Sequence, residues 1–259
     1  MVSRILITGS SDGIGLAAAK LLSEQGHKVT LHARNQDRAN QAKSLVPKAE
    51  GVLIGDLTSI ASTENLAAEA NAKGPWDTVV HNAGIGLSGT EGQTEDAMAK
   101  TFQVNSLAPY ILTSLMERPK RLLYVSSGLH TGGDESLKDV TWKDRPFQPS
   151  QAYSDTKLHN VLLANAVARH WTDVQSCALD PGWVKTKLAG DGAPGTTSSP
   201  AKAIAAFAAG RSDAVGDQTG VYFAASRGSI SPHKATLRED KQEEYLRICS
   251  HLSGVEFPR

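Results

Sequence analysis

The stretch that most constrains this chain runs from Arg4 to Gln25. Arg4-Ile5-Leu6-Ile7-Thr8 is a near-continuous apolar run, and Gly9-Ser10-Ser11-Asp12-Gly13-Ile14-Gly15 is a turn carrying three glycines. Residues 14–25 then repeat apolar positions at helical spacing, and Gly26 is a helix stop. An apolar run without alternation reads as a strand buried on both faces, which a parallel sheet provides. A parallel strand needs a crossover, and a helix entered directly from the turn is the usual one.

The same rhythm recurs along the chain. Strands are expected at Lys28–Ala33, Gly51–Ile54, Trp76–His81, Arg121–Ser126, 173–179 and 219–223. Helices are expected near 36–45, 59–72, 151–171 and 200–210, with another long helix between the fourth and fifth strands. This predicts an α/β fold, a doubly wound, mostly parallel seven-stranded sheet with helices on both faces. Two stretches break the rhythm: 128–150, rich in Gly, Pro, Asp and Trp, and 186–200 (TKLAGDGAPGTTSSP), which reads as flexible. Long irregular segments in such a fold are more often binding loops or lids than accidents.

Composition excludes several classes. Lys plus Arg equals Asp plus Glu, 27 against 27, so no net field favours nucleic acid or an anionic membrane. No leader-like charged and apolar segment precedes the first strand, and no run of about 18 apolar residues predicts a membrane span. Cys177 and Cys249 fit no metal-ligand spacing and no disulfide framework, so no metal is expected and a reduced cytoplasmic enzyme is.

The glycine turn is suited to phosphate. Gly9 permits the tight turn, Gly13 lets backbone approach a pyrophosphate, Gly15 allows close helix–strand packing, and the following helix aims its free N–H groups at the anion. A glycine loop that merely turns is the plainer alternative; its place after the first strand and before an apolar helix favours the nucleotide. At the end of the second strand, Leu31-His32-Ala33-Arg34-Asn35 has no acid to hold a ribose 2′-hydroxyl, whereas Arg34 suits a 2′-phosphate. NADP(H) is therefore expected ahead of NAD(H), the alternative for Arg34 being a solvated loop arginine.

Tyr153 and Lys157 lie four residues apart, on one face of a helix. A phenol with its ordinary pKa near 10 exchanges protons poorly at neutral pH, and a nearby cation stabilises its anion. Lowering that pKa by about 3 units requires roughly 4 kcal/mol, which Lys157 and an oxidised nicotinamide could share. Ser126 and Ser127 end the fifth strand at the edge where open α/β sheets hold ligands. Asn105 interrupts an apolar helix. It reads either as a packing hydrogen bond or as a water-holding link to Lys157.

Taken together these pieces resemble the short-chain dehydrogenase/reductase family over nearly the whole chain. The matching motifs are TGxxxGIG at Thr8–Gly15, Asp56-Leu57, His81-Asn82-Ala83-Gly84, Asn105, Ser127, the Tyr153/Lys157 pair, and Pro181-Gly182-Trp183-Val184-Lys185-Thr186. The resemblance implies a single-domain Rossmann fold over 1–259 and an oxidoreductase that interconverts a carbonyl and an alcohol. It implies a catalytic tetrad of Asn105, Ser127, Tyr153 and Lys157, with Ser127 chosen because the second of two serines usually aligns. It places the dinucleotide against Gly9, Ser11, Asp12, Gly13, Ile14 and Gly15, with Arg34, and against Asp56 and Leu57 at the adenine. Asn82, Ala83 and Gly84 support it, Tyr153 and Lys157 hold its ribose, and Pro181, Gly182, Val184 and Thr186 close over the nicotinamide.

Tyr153 follows Ser127 by 26 positions, about twice the interval in many members. That insertion, with Arg34, resembles the retinol-dehydrogenase-like reductases. His81 replaces the more usual asparagine of the NNAG motif. Leu129, His130, Trp142, Phe147, Trp183 and Leu188 are candidate walls for an apolar carbonyl substrate, although each alone reads as packing. His130 is not needed as an acid. Members often pair through the two long helices, here near 94–117 and 151–171, while those with this insertion can be monomeric, so a homo-oligomer stays open. The competing functions are a non-catalytic NADP(H)-binding regulatory protein and a sugar epimerase or dehydratase. The first would lack the tyrosine or lysine; the second would carry a longer C-terminal substrate domain.

Overall fold

A computed structural model of the chain describes residues 1–87, 90, 92–188, 190 and 192–259. Chain order gives β1 (Arg4–Ile7), α1 (Gly13–Glu24), β2 (Lys28–Ala33), α2 (Gln36–Leu45), β3 (Gly51–Ile54), α3 (Ile60–Lys73) and β4 (Thr78–His81). Then follow α4 (Lys100–Phe102), a π turn at Gln103–Leu107, α5 (Ala108–Leu115), β5 (Arg121–Val125) and α6 (Pro149–His170). The last elements are β6 (Gln175–Asp180), α7 (Ser198–Ala208), β7 (Val221–Ala224), β8 (Gly228–Ser229) and α8 (Glu239–Ser253).

All the strands join one sheet in the order β3-β2-β1-β4-β5-β6-β7-β8. Pairing from β3 across to β7 is parallel throughout. β8 is the difference from the expected seven strands. It is two residues long and folds back antiparallel on β7, too short to leave a periodic signal in the sequence.

Side chains alternate faces along each strand, and the two faces bury different helices. Leu6, Val79, Leu122 and Tyr124 face one apolar core with α3, α5, α6 and α8. Ile5, Ile7, Val80, Leu123 and Val125 face the other, with α1, α2 and α7. The order of connection reverses between β1 and β4, which opens a crevice above their C-terminal ends.

Two regions depart from the sequence reading. The pattern gave nothing beyond residue 223, yet Gln242, Tyr245, Leu246 and Cys249 form the buried stripe of α8, which packs on α6. Every residue from Ala152 to Val167 is consequently buried, charged side chains included. The stretch 186–200, read as flexible, carries backbone bonds from Lys185 to Gly195 (2.8 Å) and from Gly190 to Thr186 (2.9 Å). Its residues 189 and 191 lie outside the described ones.

The 128–150 insertion has order without period. Its hub is Arg145, whose guanidinium lies 2.9 Å from Asp155 Oδ2 on α6 and 3.4 Å from Asp134 Oδ2, and 3.7 Å over the Trp142 ring. Trp142 is therefore a correction to the expected substrate wall. It is in the core, under Arg145 and edge-on to Phe147 at 5.6 Å, so it packs the insertion internally. Removing the cation from a carboxylate as buried as Asp155 leaves a charge without its counter-ion. Arg145→Met is expected to cost about 2–3 kcal/mol, below the fully buried case because Arg145 is partly solvated and Asp155 keeps other donors. Urea unfolding measures it, and a loss under about 0.5 kcal/mol would show that the hub does not hold the insertion.

Candidate active site

The crevice is built where β1 meets β4. An added Cβ on Gly9 would lie 2.6 Å from Ala83 Cα, and one on Gly15 would strike the Asn82 side-chain amide. Only glycine lets these backbones approach so closely. Asn82 fastens the junction, donating from Nδ2 to Thr8 O (2.9 Å) and Gly9 O (3.2 Å). Thr8 Oγ1 accepts from the N–H groups of Asn82 and Ala83, each at 3.0 Å.

His81 points elsewhere. It is buried, stacks on Tyr124 at 4.9 Å and meets Thr113 Oγ1 at 3.2 Å, and burial pushes its pKa down to about 3. The substitution at this motif position therefore serves the core while Asn82 holds the turn.

His32 is a residue the sequence reading passed over. Its Nδ1 accepts from Gly9 N–H (2.9 Å), so Nε2 carries the proton and donates to Gly55 O (3.0 Å). Burial pushes its pKa down to about 4, which keeps this neutral tautomer in place. Asp12 caps Gly13 N–H (2.8 Å) and meets Arg38 (3.3 Å) and Lys187 (2.7 Å). Burial opposes its charge, but Lys187, the Gly13 amide and Arg38 together hold the carboxyl below its usual range. The acid in the turn is thus already compensated.

Several features fit a dinucleotide. The first amides of α1, around Ile14 and Gly15, have no intrahelical acceptors. Ser11 is half-buried in the same turn. Arg34 is exposed at the end of β2 and makes no hydrogen bond or ion pair with the described residues. Asp56 is exposed and caps Thr58, while the Leu57 side chain is in the core, leaving only its backbone for a ligand. Gly84 lies beside both Asn105 and Lys157, since a Cβ there would sit 3.4 Å from Asn105 Oδ1 and 3.6 Å from Lys157 Nζ.

The four expected catalytic residues converge on this crevice. Asn105 is fully buried in the π turn, a backbone distortion frequent at functional sites. Its amide accepts from Ile85 N–H (2.8 Å) and donates to Ile85 O (3.0 Å) and Thr156 Oγ1 (3.1 Å), so the side chain fixes the loop after β4 against α6. Lys157 is buried, has no carboxylate partner among the described residues and donates to Val125 O (3.0 Å). Burial alone pushes its pKa down to about 8. Its Nζ is 5.3 Å from the centre of the Tyr153 ring. Ser127 Oγ accepts from Leu129 N–H (3.2 Å), which leaves its own hydrogen to donate.

Tyr153 is governed by its burial. Its pKa is pushed up to about 12, by burial first; the Ser127 hydroxyl pulls it down and the Asp180 carboxylate raises it further. Desolvation of the phenolate is the largest of these effects, so the group is a firmly protonated phenol.

Leu129, Trp183 and Leu188 remain exposed, at 52%, 63% and 37%, where apolar side chains ordinarily would be covered. Leu188 meets Gly86, so the loop after β6 closes on the loop after β4. Pro181 and Gly182 open that loop, Val184 is buried against Gly195, and Thr186 reaches toward Gly13.

The family model described as short chain dehydrogenase matches residues 3–121. An uncharacterized oxidoreductase of Emericella nidulans is 54% identical over 259 residues, covering 98% of each chain. The chain is a short-chain dehydrogenase/reductase. Human retinol dehydrogenase 14 is 30% identical over 269 residues, covering 93% of this chain and 80% of its own. In fold, the crystal structure of a putative uncharacterized protein from Mycobacterium paratuberculosis superposes with a TM-score of 0.84, at 23% identity over 99% of this chain and 95% of the other. As a short-chain dehydrogenase/reductase, this chain is an oxidoreductase that works with a nicotinamide dinucleotide. No helix among the described residues is long and apolar enough to cross a membrane.

The junction at Gly15 generates a direct prediction. Gly15→Ala forces Asn82 off Thr8 and Gly9, and dinucleotide affinity should fall by ~10-fold or more while circular dichroism is unchanged. Fluorescence titration of the reduced dinucleotide reads the loss; unchanged binding would mean that the close approach does not shape the phosphate site.

Proposed function

We propose that this chain is an NADP(H)-dependent oxidoreductase interconverting an apolar ketone or aldehyde and its alcohol, with residues 1–259 acting as one unit. The observation that carries this reading is the buried, protonated Tyr153 phenol facing Ser127, with Lys157 beneath it. NADPH held by the glycine turn, Arg34 and Lys157 would supply a hydride for the carbonyl carbon. The Ser127 hydroxyl donates to the carbonyl oxygen and orients it, and Tyr153 Oη gives that oxygen its proton as charge develops. Lys157 binds the nicotinamide ribose and favours the tyrosinate left behind, while Asn105 fixes the loop and α6 around it. The phenol at pH 7 needs no prior activation in this direction. Alcohol oxidation asks for the phenolate, which Lys157 and the charge of an oxidised dinucleotide held in this crevice would favour.

Arg34 supports NADP(H) over NAD(H), because an unpaired guanidinium at the end of β2 is free for a 2′-phosphate and no acid at that strand end meets a 2′-hydroxyl. The exposed apolar rim of Leu129, Trp183 and Leu188 supports an apolar substrate. The buried free thiols of Cys177 and Cys249 suit a reducing compartment, which we take to be the cytoplasm.

Incubation with NADPH and a panel of aldehydes and ketones tests the reading. Cofactor consumption supports it, whereas NADPH binding with no consumption across the panel supports a non-catalytic binder. Tyr153→Phe should lower turnover by ~10²-fold or more at unchanged NADPH affinity, and retention of over about a tenth of the rate would overturn the mechanism. Arg34→Ala should raise the KM for NADPH by ~10–100-fold and leave that for NADH within about 2-fold. Equal effects on both cofactors would remove Arg34 from 2′-phosphate recognition.

A further inference from the structure

His130 and Tyr222 are buried polar residues that the mechanism above does not use, at 1% and 2% exposure. Both converge on one atom. The carbonyl oxygen of Ser127 accepts from His130 N–H (3.0 Å), from His130 Nδ1 (2.8 Å) and from the Tyr222 hydroxyl (3.1 Å). Nε2 of the same imidazole is 3.0 Å from the backbone nitrogen of His233. A backbone N–H only donates, so Nε2 holds a lone pair and the proton is on Nδ1. Nδ1–H then points at the Ser127 carbonyl, and the Tyr222 hydroxyl, 3.1 Å from Nδ1, cannot donate to that nitrogen. Its hydrogen goes to the carbonyl as well. The rings are tilted at 50° with centres 4.4 Å apart, which holds both donors in register.

We propose that His130 and Tyr222 are positioning residues that set the direction of the Ser127 hydroxyl by clamping the carbonyl of the same residue. The inference rests on the reading of Ser127 as the group that orients the substrate oxygen. The 3-10 turn Gly128–Gly132 and the distant strand β7 both donate to this carbonyl, and the chain at His233 that leads into α8 holds the imidazole from its other side. Holding the peptide plane with three donors fixes the direction of the Ser127 Cα–Cβ bond, and the Leu129 N–H bond to Oγ (3.2 Å) then selects the rotamer. A displacement of the reacting hydroxyl by about 1 Å is enough to cost ~10²-fold in rate. The clamp also ties the site to α8, because His233 opens the segment that delivers that helix.

The test is a mutant cycle. His130→Phe keeps the ring volume and loses both imidazole contacts, whereas His130→Asn keeps a side-chain donor near the Nδ1 position. Expected are a ~10–100-fold loss of kcat in His130→Phe with NADPH affinity unchanged, recovery of most of it in His130→Asn, and a ~10-fold loss in Tyr222→Phe. In a Ser127→Ala background His130→Phe should change kcat by less than about 2-fold, because there is no hydroxyl left to aim. Multiplicative losses in that background, or His130→Asn no better than His130→Phe, would overturn the inference. Amide exchange over residues 127–130 needs no substrate and should be faster in His130→Phe and restored in His130→Asn. Unchanged exchange also overturns the clamp. A wild-type protein that consumes no NADPH, or a Ser127→Ala variant at full rate, instead overturns the functional reading.

Discussion

Everything at the dinucleotide crevice depends on two backbones touching. Gly9 at the end of β1 lies against Ala83 after β4, and Gly15 in the first turn of α1 lies against the amide of Asn82. No side chain fits between them, so the turn is held by N–H bonds accepted by Thr8 Oγ1 and His32 Nδ1 and by those Asn82 Nδ2 donates, in place of packing. Such bonds contribute about 1 kcal/mol each, and their geometry fixes where the α1 amides point. The turn therefore exists as a shaped surface before any ligand arrives, which limits the ordering cost of binding.

The electrostatics of the site follow from dryness. Lys157 has no anionic partner among the described residues and its ammonium is destabilised by burial; Tyr153 is destabilised as an anion by the same burial. Each group is thereby biased toward its neutral form. A charge brought in by the dinucleotide consequently has more leverage here than in a wet cleft, where water would screen it. The spacing of Tyr153 and Lys157 in the sequence shows their proximity but says nothing of how deeply both are buried, and burial is what raises the tyrosine pKa in the protein alone.

The first seven strands were legible because each carries an apolar run bounded by turn residues, and a parallel sheet buries both faces of such runs. Helix spacing put Tyr153 and Lys157 on one face and the strand pattern put Ser126 and Ser127 at a sheet edge, but joining them, and choosing Ser127, took the family resemblance. Other features depend on contacts between distant segments. Trp142 read as a pocket wall and proved to be held inside by Arg145, a pairing no local pattern announces. His32 is one apolar-strand residue among six until its ring is seen to span Gly9 and Gly55. β8, at two residues, is too short for any period.

Helix α6 carries both Tyr153 and Lys157, and its buried length from Ala152 to Val167 is covered by the sheet on one side and by the chain's own α8 on the other. A helix of this kind, if covered by a second copy, would lose its packing on dilution, and its two functional side chains would share that fate. Here the covering element is tethered to the helix it covers. The cover over Tyr153 and Lys157 is then supplied by the same chain, so its contribution to their order is drawn from the folding of that chain itself.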